Sequence, residues 1–328
     1  MAGLFEACPY IDRMLSFDPG VGCKENILRP VYAWRFCRRC LSGVYDIAIV
    51  PRRADDYGYG AGYIALFSWA ERRIAYASYV DERKRKTDAP FDCFYTELLP
   101  AAPYMHEVEW NLNILRFMGI DVNDTRLEFW ISAEDEVFVR QWKKKQDTFR
   151  IALFLSTSTG RKEWDVKKYA ETLRHLEKAF SIEVFLLGAG EHAENLSHEI
   201  SRIYPRTINL TGKLSLSQTG AFLYQADVYL GGDTGPMHMA AACKLPSVIL
   251  FCHPQRADIE HVSSPDRFGP WGNEAIVLRP VASPGCEHGC EKEYAHCINN
   301  ITVDEVVDAV ASMLTKIKSS EDVMARLK

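Results

Sequence analysis

A glycine-rich turn, Gly231–His238, carries the residues of this chain best suited to chemistry. It follows a predicted strand, Asp227–Leu230, and runs directly into a predicted helix. Free backbone N–H groups and the dipole at a helix start suit an anion such as a diphosphate, and Thr234 adds a hydroxyl donor. Glycine also lets a backbone approach a ligand closely. The alternative is an ordinary strand-to-helix turn, in which Asp233 caps the helix and His238 is a packed, hydrogen-bonded side chain.

A second loop, Ser156–Trp164, follows another predicted strand, Ile151–Leu155. Thr157 and Ser158 offer hydroxyl groups, and Lys162 offers a mobile cation for phosphate. Ligands of open α/β sheets bind outside the carboxyl ends of the strands, which is where both loops lie. Two converging loops favour an anion site over two unrelated turns.

Carboxylates follow two further predicted strands. Glu191 comes just after the strand Ile182–Leu187, where it either accepts hydrogen bonds from ribose hydroxyls or is a solvated carboxylate at a helix start. Asp55 and Asp56 lie in the Gly- and Tyr-rich loop Arg52–Tyr63. Paired carboxylates can act as a general base for an acceptor hydroxyl, although such a loop is often merely solvated.

Three cysteines, Cys286, Cys290 and Cys297, fall within twelve residues. They form either a structural zinc or iron site or a set of reduced thiols that stabilise a loop. A fourth metal ligand would come from Cys252, His288 or His296.

These loops must be positioned by strands and helices. Sequence patterns typical of strands and of helices alternate regularly through the C-terminal half. Such alternation indicates parallel strands with crossover helices, a doubly wound α/β sheet. We predict an N-terminal domain at 1–148 and a C-terminal domain at 149–328, closed by a helix that begins at the capping box of Thr302 and Glu305. The predicted strands of the C-terminal half are Ile151–Leu155, Ile182–Leu187, Thr207–Leu210, Asp227–Leu230, Ser247–Cys252 and Ala275–Leu278.

Composition limits the function classes. The 328 residues carry a formal net charge of −5, so no overall basic field indicates a nucleic-acid partner. No apolar run reaches the roughly 20 residues that span a bilayer, and the start of the chain does not resemble a signal peptide. These features favour a cytoplasmic protein whose ten cysteines are thiols or metal ligands.

The run GGDTGPMHMAAACKLPSVILF, which begins at Gly231, resembles the signature of glycosyltransferase family 9, the ADP-heptose:lipopolysaccharide heptosyltransferases. Other stretches agree in the same order: YDIAIV, TSTGRKEW, VFLLGAGE, INLTGKLSL, and the cysteine cluster followed by NNITVDEVVDAV. The resemblance extends from about Pro9 to Val310. It is specific in the second domain and loose in the first. It implies a GT-B-like fold, with two Rossmann-like domains whose parallel sheets face a cleft.

The resemblance also implies a site and an activity. An acceptor hydroxyl would attack the anomeric carbon of a nucleotide-diphosphate heptose or related sugar with inversion, and no metal would be needed for departure of the diphosphate. The acceptor would be a lipopolysaccharide core sugar or a protein side chain, reached at the inner face of the cytoplasmic membrane. The implied nucleotide-sugar residues are Thr157, Ser158, Lys162, Glu191, Asp233, Thr234, Gly235, Pro236, Met237 and His238.

The resemblance departs from the family at the front of the chain. The segment CPYIDRMLSFD is similar to the stretch that follows the second strand in family members, so the first βαβ unit, with the family's catalytic Asp, has no counterpart in this sequence. Either the chain is a piece of a longer protein or another carboxylate, Asp55 or Asp56, serves as the base. A second hypothesis follows, a non-catalytic nucleotide-sugar-binding or scaffold protein that kept only the donor site.

Overall fold

The computed structural model describes residues 4–17, 29–41, 43, 45–53, 60–261 and 263–326. The chain divides into two compact units, residues 11–125 (the N-terminal unit) and residues 1–10 with 126–328 (the C-terminal unit). Within the described ranges, no helix has both the length and the apolar character that a membrane crossing requires.

The N-terminal unit contains a three-stranded parallel sheet in the order β1-β2-β3. Its core forms where β2 meets the last helix, because Ile74, Tyr76, Trp110 and Ile114 are all buried there. The Tyr76 hydroxyl donates to the Trp110 carbonyl over 2.5 Å. Its elements are α1 (Arg29–Cys40), β1 (Ile47–Val50), α2 (Ala61–Phe67), β2 (Arg72–Tyr76), α3 (Glu82–Asp88), β3 (Glu97–Leu99) and α4 (Glu107–Phe117).

The C-terminal unit is built on a six-stranded sheet in which every paired strand is parallel. Each predicted strand of this half is present, with ends that differ by no more than two residues from the prediction. The elements are α5 (Ala133–Val139), β4 (Phe149–Phe154), α6 (Val166–Leu176), β5 (Ile182–Leu187), α7 (Glu191–Ile203), β6 (Thr207–Asn209), α8 (Leu216–Leu223), β7 (Val228–Gly232), α9 (Gly235–Ala242), β8 (Ser247–Leu250), α10 (Pro265–Phe268), β9 (Ala275–Leu278) and α11 (Val303–Arg326).

Helices cover both faces of this sheet, which is why its central strands read as continuous apolar runs. On β4, Ile151 and Leu153 face one cluster, with side chains of α6, α7 and α11. Ala152 and Phe154 face the opposite cluster, with side chains of α8 and α9. The doubly wound arrangement predicted for this half is therefore present, and the predicted capping box at Thr302 and Glu305 is formed (Glu305 N–H to Thr302 Oγ1, 3.2 Å).

The division between the units falls after Thr125, whereas we predicted it after residue 148. The intervening segment belongs to the C-terminal unit because it packs on α8. The Phe129 ring lies where a side chain on Gly220 would be, 2.0 Å from an ideal Cβ position. The Tyr224 hydroxyl donates to the Phe129 carbonyl over 2.7 Å, and α5 also packs on α8.

Candidate functional site

The two loops singled out by sequence meet at the reversal point of the C-terminal sheet. From β4 the chain adds β5 and β6 on one side, and then β7, β8 and β9 on the other. β4 and β7 are therefore adjacent, with Phe154 paired to Gly231 at their carboxyl ends. In doubly wound sheets, the crevice outside the strand ends at this reversal is the usual ligand position.

Two glycines allow this close approach of the loops. A side chain on Gly231 would lie 2.8 Å from the Phe154 carbonyl oxygen, and one on Gly232 would lie 3.0 Å from a Thr157 methyl carbon. Gly231 and Gly232 thus serve the contact between the two loops, in addition to any approach of a ligand. Gly235, in contrast, has open space around its ideal Cβ position.

Lys162 and Asp233 form an ion pair between the two loops. Lys162 ends a 3₁₀ turn, Gly160–Lys162, and Asp233 is the first residue after β7. The Lys162 Nζ and Asp233 Oδ2 atoms are 2.5 Å apart, with side chains 16% and 8% exposed. Asp233 does not cap α9, as the alternative interpretation of this turn required, because the N-cap residue is Thr234.

The start of α9 presents backbone donors at the same place. Gly235 is the first helical residue and Pro236 follows it. The Thr234 hydroxyl is buried beside Tyr229 and forms no well-directed hydrogen bond within the described part of the chain. The Met237 side chain is fully buried in the core, so only the backbone of this predicted site residue faces the turn. His238 is half-buried in the first turn of the helix.

Of the two remaining predicted residues of the loop after β4, one is hydrogen-bonded within the loop and the other is exposed. Thr157 donates its hydroxyl to the Thr159 carbonyl (2.7 Å) and its backbone N–H to Glu163 Oε1 (3.1 Å). Ser158 is exposed. Sequence reasoning missed Glu163, whose Oε1 also contacts His192 Nε2 at 2.7 Å and so links this loop to the start of α7. A glutamate in a polar loop gives no signal of such a role.

Glu191 is exposed in the first turn of α7, beyond the carboxyl end of β5. Its position is compatible with either interpretation made from the sequence. Asp55 and Asp56, the candidates for a general base, lie outside the described residues.

The N-terminal unit has a narrow recess of its own at the carboxyl ends of β1 and β2. Two carboxylates line this recess, and each has a polar partner. Asp88 pairs with Lys84 at 3.4 Å, and both side chains are less than 10% exposed. Asp92 accepts from the Ser78 hydroxyl over 2.8 Å. Aromatic rings of Tyr63, Phe91 and Tyr95 complete this part of the lining.

The three cysteines of the predicted metal site come together with one histidine. The ligand atoms of Cys286, Cys290, His296 and Cys297 all lie within 4.8 Å of one another. All three thiols are buried, and none forms a disulfide. Burial, with the neighbouring thiols, raises the pKa of Cys286 to about 12. Burial also acts to raise the pKa of Cys290, but backbone N–H groups of Cys297 and Lys292 and the adjacent thiols outweigh it and lower that pKa.

Comparison with solved structures identifies the fold class. The chain matches a glycosyl transferase family 9 structure from Veillonella parvula with a TM-score of 0.70 and 17% identity, over 95% of this chain and 85% of that one. It matches the Escherichia coli heptosyltransferase WaaC with ADP at a TM-score of 0.63 and 17% identity, over 88% of this chain and 79% of that one. These likenesses confirm the predicted GT-B-like α/β class.

The family follows from the sequence match. The family model described as glycosyltransferase family 9 (heptosyltransferase) matches residues 60–296. The chain belongs to this family. Lipooligosaccharide heptosyltransferase 2 of Campylobacter jejuni is 23% identical over 230 residues, 67% of this chain and 65% of that protein. The alignment thus spans slightly less than two thirds of that relative's length.

Proposed function

We propose that this chain is an inverting glycosyltransferase that transfers heptose, or a related sugar, from ADP-heptose to the core of lipopolysaccharide. The observation that carries the proposal is the Lys162–Asp233 pair at the start of α9. Membership of a heptosyltransferase family supports it, as does a likeness to an enzyme solved with ADP.

The donor diphosphate fits the crevice between the loops after β4 and β7. The Lys162 ammonium and the backbone N–H groups of Thr234 and Gly235 would face its oxygens, with the dipole of α9 behind them. Asp233 is a carboxylate and would repel a diphosphate, so its role is to hold Lys162 rather than to bind the donor. Glu191, beyond β5, would accept from the ribose hydroxyls.

The reaction exchanges one C–O bond for another at the anomeric carbon. An acceptor hydroxyl loses its proton to a base as its oxygen attacks, and the bond to the diphosphate breaks, which releases ADP. Positive charge and N–H groups fixed beforehand at the leaving oxygens stabilise the transition state more than a solvated site would. This charge is supplied by the protein, so we propose that no metal is required for leaving-group departure.

The acceptor would lie on the N-terminal unit, where aromatic rings and polar groups line the surface at the ends of β1 and β2. Sugars are bound by such a combination of apolar rings and a few oriented polar groups. Asp55 and Asp56 stay candidates for the base. If the acceptor is embedded in a membrane, the enzyme must act at the inner membrane face, and we propose that location.

A transfer assay tests the proposal. The full chain is incubated with ADP-heptose and a heptose-deficient lipopolysaccharide core, and ADP release and product mass are measured, with UDP- and GDP-sugars as comparison donors. We expect transfer from ADP-heptose that Lys162→Met abolishes. Lys178→Met, at an exposed lysine just after α6, is the matched control. Tight ADP-heptose binding without ADP release would instead support a non-catalytic donor-binding protein.

A further inference from the structure

The segment between β9 and the 3₁₀ turn Cys297–Asn300, together with the first residue of that turn, holds four side chains that can bind a metal. This fully described stretch, 279–296, contains no helix or strand. Loops longer than about 12–15 residues without regular structure are uncommon in compact domains and need another source of order. Three of the buried side chains here are cysteines, since Cys286 is 2% exposed and Cys290 and Cys297 are fully buried. Thiols bury little apolar area, so packing alone is a weak source of that order.

His296 places one ring nitrogen at the centre of the three sulfurs. The Nδ1 atom lies 3.6 Å from Cys286 Sγ, 3.9 Å from Cys290 Sγ and 3.4 Å from Cys297 Sγ. A ring nitrogen gains little from weak thiol donors alone, because sulfur is a poor hydrogen-bond partner. A nitrogen that faces three buried sulfurs is, however, the arrangement of a four-ligand metal site.

The distances match those that a tetrahedral zinc ion imposes. With Zn–S near 2.3 Å and Zn–N near 2.0–2.1 Å, tetrahedral angles place the nitrogen about 3.6 Å from each sulfur. The three observed separations scatter closely around that value. Each of the four ligand atoms lies within 4.8 Å of the other three.

The structure also selects among the three candidates for the fourth ligand. His288 is exposed and is not part of the ligand group, and its carbonyl accepts from the Asp258 N–H over 3.3 Å. Cys252 is buried in the core just after β8, and its sulfur is not part of the ligand group. His296 is therefore the fourth ligand.

The cluster lies beside the loop that carries Lys162. The Glu293 carbonyl oxygen is 3.4 Å from the ideal Cβ position of Gly160, so the cysteine segment packs on the Gly160–Lys162 turn. Just beyond the cluster, the Ile301 carbonyl accepts from Trp164 Nε1 over 3.1 Å. A restraint on residues 286–297 therefore also supports the loop after β4.

We propose that Cys286, Cys290, Cys297 and Nδ1 of His296 bind one Zn²⁺ ion. Three thiolates and one imidazole fill a tetrahedral shell, so the ion has no open position and acts structurally. Thiolate-rich sets with one imidazole suit zinc better than the hard cations Mg²⁺ or Ca²⁺. The ion replaces a hydrophobic core in this segment and holds it against the turn that carries Lys162. Zinc content is measured without any sugar donor or acceptor, so this inference can fail without the proposed function, and the reverse.

Metal analysis of the untagged full chain, purified from zinc-supplemented culture, tests the inference. We expect about one zinc per chain by mass spectrometry, and loss of that zinc in His296→Gln and Cys290→Ser. The matched controls His288→Gln and Cys252→Ser keep it, since their side chains lie outside the ligand group. Zinc lost from His288→Gln but kept by His296→Gln would overturn the ligand assignment, and stoichiometric iron in the wild type would overturn the choice of metal.

A second measurement on the wild type covers the case in which the ligand variants do not fold. Cobalt exchanged into the site should give the visible d–d bands of a tetrahedral site and sulfur-to-cobalt charge transfer, and added zinc should abolish both. In the zinc-loaded protein, Cys286, Cys290 and Cys297 should resist a thiol reagent until a strong chelator is added. A wild-type protein that takes up neither metal, and whose three thiols react at once with the reagent, would contradict the proposal.

Discussion

Lys162 and Asp233 are 71 positions apart in sequence, and their charged atoms lie 2.5 Å apart at the carboxyl ends of neighbouring strands. The pair fixes an ammonium group beside the start of α9 before any donor arrives. A cation held in this way does not have to be ordered when the diphosphate binds or departs. Asp233 also neutralises part of that charge, which weakens the attraction for the donor diphosphate. The same contact fixes the position of the ammonium group.

Two of the three glycines in the turn, Gly231 and Gly235, should respond differently to alanine. Gly231→Ala places a carbon 2.8 Å from the Phe154 carbonyl oxygen, so the β4 and β7 ends must separate. We expect the free energy of unfolding to fall by about 1–3 kcal/mol. Gly235→Ala meets no neighbouring atom, so stability should change by less than about 0.5 kcal/mol.

ADP binding separates the two effects. Gly235→Ala places its new methyl group in the open space beside the helix start, and we expect the Kd for ADP to rise about tenfold, equivalent to about 1.4 kcal/mol. Urea unfolding and titration calorimetry give both quantities. A Gly235→Ala variant that binds ADP as tightly as wild type would show that the diphosphate lies elsewhere.

Residues 126–148, which precede β4, should contribute to the free energy of unfolding of the C-terminal unit. Gly220→Ala collides with the Phe129 ring, and we expect it to cost about 1–3 kcal/mol of stability. Phe129→Leu removes the ring edge and should reduce that cost when the two changes are combined. A double-mutant cycle in urea measures the coupling. Strictly additive effects would mean that residues 126–148 do not pack on α8 in solution.

Buried His253 should make stability depend on pH. Burial, followed by the positive charges of Arg279 and His261, lowers its pKa to about 4 from the usual 6.5, against a smaller opposing effect of Asp258 and Asp266. Below pH 6.5 the unfolded chain binds a proton that the folded chain excludes. Stability should therefore fall as the pH drops from 6.5 towards 4, by about 3 kcal/mol in total.

Substitution of this histidine isolates its share of the pH dependence. His253→Gln cannot titrate, so its loss of stability between pH 7 and pH 4 should be about 3 kcal/mol smaller than that of wild type. His198→Gln, at an exposed position of α7, is the control and should keep the wild-type dependence. Superimposable pH profiles of wild type and His253→Gln would refute the assignment.

The sheet of the C-terminal unit could be predicted because its strands are covered on both faces. Runs such as Ile151–Leu155 are then continuously apolar, and polar or glycine-rich turns bound them. The short strands β2 and β3 were missed. β2 begins with Arg72 and Arg73, which interrupt the apolar pattern, and Arg72 forms a 2.7 Å ion pair with Glu97 of β3. Such long-range compensation is invisible to local periodicity.

The candidate site, like the fold, could be predicted only in part from the sequence. Sequence placed both loops at strand ends, since that depends only on the order of local elements. It did not reveal that Asp233 pairs with Lys162, nor that Glu163 joins Thr157 to His192, because these contacts need the three-dimensional proximity of β4, β5 and β7. For the cysteine cluster, spacing supplied three ligands and left the fourth open. The fold brings His296, rather than Cys252 or His288, into the proposed ligand group.

Calorimetric titration of ADP into the wild-type chain, Lys162→Met and Lys178→Met is the most direct test of the donor site. A charge-assisted contact contributes about 1.5–3 kcal/mol, so Lys162→Met should raise the Kd for ADP about 10- to 100-fold. Lys178→Met should bind ADP as wild type does, with both variants folded by circular dichroism. Equal ADP affinity in Lys162→Met and wild type would contradict the assignment of this crevice to the donor diphosphate.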